Sequence, residues 1–316
     1  MKHLLIKPMV ASLALCLGTA AFAADYPSNP VSLVVGYGAG GGTDVCNRVL
    51  AQDVGKRIGQ TLVIENKPGA GSSLSVSYIT RQRPDGYSIA SLSTGGVLNQ
   101  VLNPGNKYDV VKDLTPIAMV AQYQVGLLVR ADSPHKNLAD LVAAAKRKSL
   151  SYSTAGIGTP QHLTTERLGQ AIGSRWVHVP YKSGPETISA LMRGDVDFMA
   201  QTAEWVPYVR DGRLRLLAVY TDERMQGFDA PTLKEQGYDL VAPSLLGISG
   251  PAGMDPAIVK RLQDAFQGAT ATPEFAHCAD QFGLKVDFRD AAGFGDYVKN
   301  TLVNWTPLLQ QFAGKE

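Results

Sequence analysis

The residues best spaced for chemistry are Gly36-Tyr37-Gly38-Ala39-Gly40-Gly41, a G-x-G-x-x-G run between the apolar stretch VSLVV and a helical pattern. In that setting glycines let a turn bring backbone N–H groups and a helix N-terminus close to an anion. Two kinds of anion suit the pattern. A dinucleotide pyrophosphate calls for an acid near the end of the next strand, and Glu65 stands there, 24 residues beyond Gly41. A small anion would use the longer run Gly40-Gly41-Gly42, with Thr43 or Asp44 capping the helix. A second sharp turn, NKPGAGSS from Asn66 to Ser73, follows the neighbouring strand, and open α/β sheets bind ligands at such carboxyl ends. Two turns side by side enclose a carboxylate without any full positive charge, because N–H and O–H donors satisfy it.

Little else in the chain suggests chemistry. His162 follows Pro160-Gln161 at a helix start and reads as a capping or core residue, with no nucleophile spaced to pair with it. His135, His178 and His277 show no metal-ligand spacing, and there is no G-x-S-x-G elbow. Arg48 reads as an i,i+4 partner of Asp44 and Lys182 as a solvated side chain. Tyr37, Tyr181, Trp205 and Tyr208 suit a pocket wall, though Trp205 equally suits a core.

The elements that must hold these turns follow from apolar periodicity. Val31 to Val35 reads as a buried strand, Thr43 to Ile58 as a helix with a stripe at Val45, Val49, Val54 and Ile58, and Thr61 to Glu65 as a strand. A helix over Leu74 to Arg81 and a strand over Tyr87 to Leu92 complete a βαβαβ opening, which implies a parallel sheet covered by helices. The rhythm restarts with VGLLVR, a helix over Leu138 to Lys146, the turn SYSTAGIGTP, a helix over His162 to Ile172, and strands at Trp176 to Val179, Val196 to Met199 and Leu214 to Val219. A helix over Thr187 to Arg193 lies among those strands. A second α/β lobe of the same type is expected. A mostly helical end, with helices over Pro256 to Phe266 and Phe294 to Phe312, suits packing back onto one lobe.

The chain opens with Lys2 and Lys7 ahead of a short apolar run ending in Ala21-Phe22-Ala23, which reads as a secretory signal peptide over residues 1–23 and so as periplasmic export. Without the leader, 28 of the 30 basic residues remain against 28 acidic ones, with no basic cluster to favour nucleic acid or a lipid surface. Export also weighs against a diffusible nicotinamide cofactor, so no cofactor is expected; an exported NAD(P)-dependent oxidoreductase is the alternative. Cys46 and Cys278 could pair in an oxidising compartment, yet two cysteines so far apart are no disulfide framework, and separate thiols are favoured.

Several segments in order, namely YPSNPVSLVVGYGAGGGTDVCNR, LVIENKPGAGSS, RPDGYSI, YDVVKDLTPIAMV, YSTAGIGTPQHLTTERL and VPYKSGPETISALMRGDVDFM, make the chain resemble the tripartite tricarboxylate transporter substrate-binding proteins, the Bug family of extracytoplasmic solute receptors. The resemblance implies a bilobed α/β periplasmic binding protein, type II-like, with two lobes joined by a two-strand hinge near Val125 to Val129 and Val241 to Leu246. Lobe 1 would comprise residues 24–125 and 243–316 and lobe 2 residues 126–242. It implies a monomeric, non-enzymatic receptor for a small organic carboxylate, delivered to a two-subunit integral-membrane permease, with a membrane sensor kinase as the alternative reader. One carboxylate would meet the first loop at Tyr37, Ala39, Gly40, Gly41, Thr43 and Asp44 and the second at Gly69, Ala70, Gly71, Ser72 and Ser73. Across the cleft, Ser153, Thr154, Gly158, Thr159 and Tyr181 would contact the rest of the ligand, with Asp197 near the wall. The family's second loop usually continues Gly-Gly-Asn, where this chain has Ser72-Ser73-Leu74.

Overall fold

In the computed structural model, residues 26–242 and 244–310 are described, so the leader and the last residues of the C-terminal helical pattern lie outside them. The β-branched run Val31–Val35 (β1) is buried on both faces, as a central parallel strand must be. Helix α1 (Gly42–Ile58) ends at Gly59, whose φ of 79° closes a left-handed cap with its N–H on the Gly55 carbonyl. Its buried stripe is Cys46, Leu50, Val54 and Ile58; Val45 and Val49 are only half-buried. Val54 and Ile58 of the expected stripe are buried, while in the first two turns Cys46 and Leu50 take the core face in place of Val45 and Val49.

Then follow β2 (Leu62–Asn66), α2 (Ser73–Ile79), β3 (Ser88–Ser93), α3 (Thr94–Leu102) and β4 (Leu114–Tyr123). Helix α3 was not evident in the sequence, since Thr94-Gly95-Gly96 looks like a breaker. Both glycines are needed for close approach: a Cβ on Gly95 would stand 2.5 Å from the Gly71 carbonyl oxygen, and one on Gly96 would stand 2.8 Å from Val76 Cγ2. Ser93 caps the helix by accepting the Gly96 N–H.

Gln124 alone separates β4 from β5 (Val125–Arg130), where the chain passes to a second sheet. That unit adds α4 (Leu138–Ala145), β6 (Leu150–Thr154), α5 (Pro160–Ala171), β7 (Trp176–Pro180), α6 (Gly184–Arg193), β8 (Phe198–Thr202), α7 (Val206–Arg210) and β9 (Leu214–Val219). The chain then returns through β10 (Leu246–Pro251), α8 (Pro256–Thr270), α9 (Pro273–Gln281), β11 (Leu284–Arg289) and α10 (Ala291–Leu309). The larger sheet has the order β11-β4-β10-β3-β1-β2 and the smaller β7-β6-β8-β5-β9. β1 runs parallel to β2 and β3, and β6 parallel to β7 and β8, whereas β10 and β5 are antiparallel to their neighbours. Apolar clusters lie on both faces of each sheet, giving two three-layer α/β lobes.

Two further contacts fix the assembly. Cys46 and Cys278 form a disulfide joining α1 to α9, contrary to the separate thiols favoured from their spacing; folding brings their Cα atoms within 5.8 Å. Trp305 and Leu309 of α10 pack with Leu98 of α3 and with Leu163 of α5, so the last helix leaves its own sheet to touch the other lobe.

Candidate functional site

The parallel strands of both lobes point their carboxyl ends at one another, and each βα turn delivers a helix N-terminus to the space between. The starts of α1, α3, α5 and α6 border a single cavity through Gly41 and Thr43, Ser93 to Gly95, Pro160 and Gln161, and Ser183 and Gly184. It is narrow, and both lobes contribute its walls. The lobes touch across it. A Cβ on Gly38 would stand 3.2 Å from Ser183 Cβ, and one on Gly71 would stand 2.6 Å from the Ile157 carbonyl oxygen. This is a closed arrangement.

Of the first loop, Tyr37, Gly41 and Thr43 line the cavity, while Ala39 and Gly40 face solvent. Gly36 has a tight reason to be glycine: a Cβ there would lie 2.2 Å from Ser72 Oγ. Asp44 is turned away as a clamp. It accepts the Gly40 N–H at 2.9 Å, Asn66 Nδ2 at 2.9 Å and Arg48 Nε at 3.0 Å, while Asn66 also donates to the Tyr37 carbonyl. Burial opposes its ionisation, but hydrogen bonds from Arg48, Gly40 and Asn66 outweigh this and hold the carboxyl below its usual range. Asp44 thus holds the turn's shape and does not face a ligand, and Arg48 is its i,i+4 partner.

The second loop stands behind the cavity. Gly69, Ala70, Gly71, Ser72 and Ser73 are absent from the lining because α3 comes between, with Gly71 packed on Gly95. Ser72 Oγ meets Ser75 Oγ at 3.1 Å and Ser73 Oγ donates to the Ala70 carbonyl, so both hydroxyls serve the turn. Ala70 and Ser72 adopt left-handed φ values of 46° and 79°.

In the second lobe, Ser153 and Thr154 are fully buried beneath the wall formed by Ala155 and α5. Thr154 Oγ1 lies 2.8 Å from His178 Nε2, and Thr159 caps α5. Gly158 donates its N–H to His162 Nδ1 at 3.1 Å, and the two imidazoles stack with centroids 4.1 Å apart. Burial lowers the His162 pKa to about 4, and burial together with His162 lowers that of His178 to about 3. Gly158 and Thr159 support the wall, and Tyr181 meets the Thr154 carbonyl through its N–H; none of the three lines the cavity. Asp197 lies away from the cavity. It precedes β8, at the end where Ser151 donates to it, whereas the cavity begins at Gln201 and Thr202, roughly 13–16 Å further along at 3.3 Å per residue.

Sequence reasoning missed several lining residues, among them Thr94, Tyr123, Gln161, Gln201 and Ser244, and the charged one is Glu204, in the turn after β8. Only 8% exposed, it reaches across to accept the Gly42 N–H at the start of α1 at 3.2 Å. Thr202 Oγ1 and Gln201 Nε2 donate to its other oxygen at 2.6 and 3.2 Å. Burial raises its pKa. The helix N-terminus that the glycine run was expected to offer to an anion therefore already meets one. Glu65, the acid expected to meet a ribose, instead accepts from Ser32 Oγ at 2.8 Å. Among the described residues no group of three or more His, Cys, Asp or Glu is placed to hold a metal, and no helix is long and apolar enough to cross a membrane.

Comparison with known proteins agrees with this geometry. A profile described as "Tripartite tricarboxylate transporter family receptor" matches residues 46–313. A Cupriavidus necator protein described as "UPF0065 protein in gbd 5'region" is 37% identical over 320 residues, covering 99% of this chain and 98% of its own. The structure described as periplasmic binding protein BugD superposes with a TM-score of 0.86 at 29% identity, covering 91% of this chain and 98% of that one. MatC from Rhodopseudomonas palustris, with bound malate, superposes with a TM-score of 0.84 at 26% identity, covering 90% and 100%.

Proposed function

Because this chain belongs to the tripartite tricarboxylate transporter receptor family, the Bug-type solute-binding proteins, we propose that it captures a small organic carboxylate in the periplasm and delivers it to a two-subunit integral-membrane permease. The family is one of receptors, not of enzymes. The observation that carries the ligand class is the convergence of four helix N-termini on one enclosed cavity. The α1 end is met by Glu204, and the other three each carry a partial positive charge of roughly half a unit, so together they favour an anion without a lysine or arginine. The malate held by MatC, a similar fold, supports the same reading.

Binding would work by closure. The lobes meet through contacts that open solvent would replace, and a ligand that touches both walls favours the closed state by its differential affinity. Water excluded from so small a space strengthens each polar contact. The crossing from β4 to β5 and the return into β10 are the natural hinge.

A thermal-shift screen of the mature protein against organic acids and nicotinamide nucleotides tests this. A carboxylate at 100 times its Kd should add about 2.7 kcal/mol of stability. A shift with NAD(P) and none with any carboxylate would refute it.

A further inference from the structure

The cavity is peculiar for a carboxylate receptor because its one charged side chain is an acid. Among the described residues no lysine, arginine or histidine lines it, whereas Glu204 does. The neighbours of Glu204 are arranged for the ionised form. The Gly42 N–H and the Gln201 amide nitrogen are pure donors, Thr202 Oγ1 approaches at the 2.6 Å typical of a hydroxyl on a carboxylate, and the α1 N-terminus favours negative charge. Its own backbone N–H is a fourth donor, and Oε1 is the less firmly held oxygen, with the long 3.2 Å bond from Gly42. An unsatisfied group borders the same space. Ser244, only 7% exposed, has no hydrogen-bond partner for Oγ among the described residues.

A plain dicarboxylate would put a further negative charge within a few Å of Glu204, and in a buried site that repulsion is worth a discrimination on the order of 100-fold or more. A ligand with both charges meets no such conflict. We infer that the cavity takes an amino-substituted carboxylate, its carboxylate seated at the starts of α3, α5 and α6 and its ammonium group donated to Glu204, with Ser244 as a further polar contact. The inference rests on the carboxylate-receptor reading and narrows its ligand class. Glu204 is then the residue that separates amino acids from organic acids of the same length. Its docking on α1 also makes the ammonium subsite a product of closure, since Gly42 and Glu204 belong to different lobes.

Calorimetry on the mature protein with matched pairs tests this: L-alanine against propionate, L-aspartate against succinate, L-glutamate against glutarate. In at least one pair the amino member should bind 100-fold or more tightly than its partner. Glu204→Gln, which keeps an acceptor for Thr202, should cut that affinity at least tenfold and narrow the pair to within about threefold. Desamino acids binding as well as amino acids to the unaltered protein would overturn the inference and leave the carboxylate reading standing. A gap that survives Glu204→Gln would likewise remove Glu204 from the site. Binding of none of the six, while another organic acid gives a thermal shift, would overturn the inference and leave the carboxylate reading standing.

Discussion

Gly71 offers a direct test of whether the cross-cleft contacts belong to a functional closed state. It has φ +58°, and a Cβ would stand 2.6 Å from the Ile157 carbonyl oxygen of the other lobe and 2.6 Å from Asn99 Nδ2 of its own. In Gly71→Ala, the left-handed backbone costs about 1 kcal/mol whether the lobes are open or closed. The Asn99 amide is a side-chain tip and can swing aside. The Ile157 carbonyl is backbone and cannot, so closing against it costs a further 1–3 kcal/mol or so, as overpacking does. A closure penalty of about 2 kcal/mol weakens a ligand that requires closure roughly 30-fold, with folding stability down by only about 1 kcal/mol. Gly173→Ala is the control: its φ of +69° shares the backbone cost, but nothing lies within 4 Å of the added methyl. Small-angle scattering and calorimetry, using whichever acid gives a thermal shift, read the two variants. If Gly71→Ala and Gly173→Ala bind equally tightly, the lobes do not need this contact to hold ligand and the reasoning fails.

Acid stability should bear the signature of the stacked histidines. Because His162 and His178 sit at about 4 and about 3, below an unfolded value near 6.5, the unfolded chain binds more protons than the folded one as the pH falls from 6.5 toward 4. Each then withdraws up to about 1.4 kcal/mol per pH unit, a loss that Glu166 and Glu204, raised by burial, oppose with the reverse sign. Urea titrations should show a shallower pH dependence in His178→Gln, and identical slopes would count against the assignment. The Cys46–Cys278 bridge closes a separation of 232 residues, so its reduction should cost about 2–4 kcal/mol, seen as a lower urea midpoint. An unmoved midpoint would show that the cross-link adds nothing.

How far the site could be read beforehand depended on how local each cause was. Strand, glycine turn and helix are written in adjacent residues, so β1, the loop at Gly36 to Gly41 and α1 were legible, as was the matching restart in the second lobe. The distribution of contacts was not. The second loop reads as a twin of the first, yet Gly95 and Gly96 let α3 slip between it and the cavity. Asp197 and Thr202 sit at opposite ends of one short strand, and only the strand's direction says which end faces the cleft. Glu204 stands 162 residues from the Gly42 N–H it meets, beside Trp205, whose buried ring gave that segment its evident reason to exist.

The single residue between β4 and β5 limits how the receptor can move. Two Cα steps, about 7.6 Å, are all the chain that separates Tyr123 from Val125, so the lobes cannot slide apart by more than that without unpairing a strand. With a second short crossing beside it, the remaining freedom is close to one rotation about an axis through both. Trp305 and Leu309 of α10, packed with Leu98 of their own lobe, rest on Leu163 of the other. A distance measured between any two labels across the cleft would therefore follow the same coordinate, which makes the molecule a natural one-variable gauge of its own occupancy.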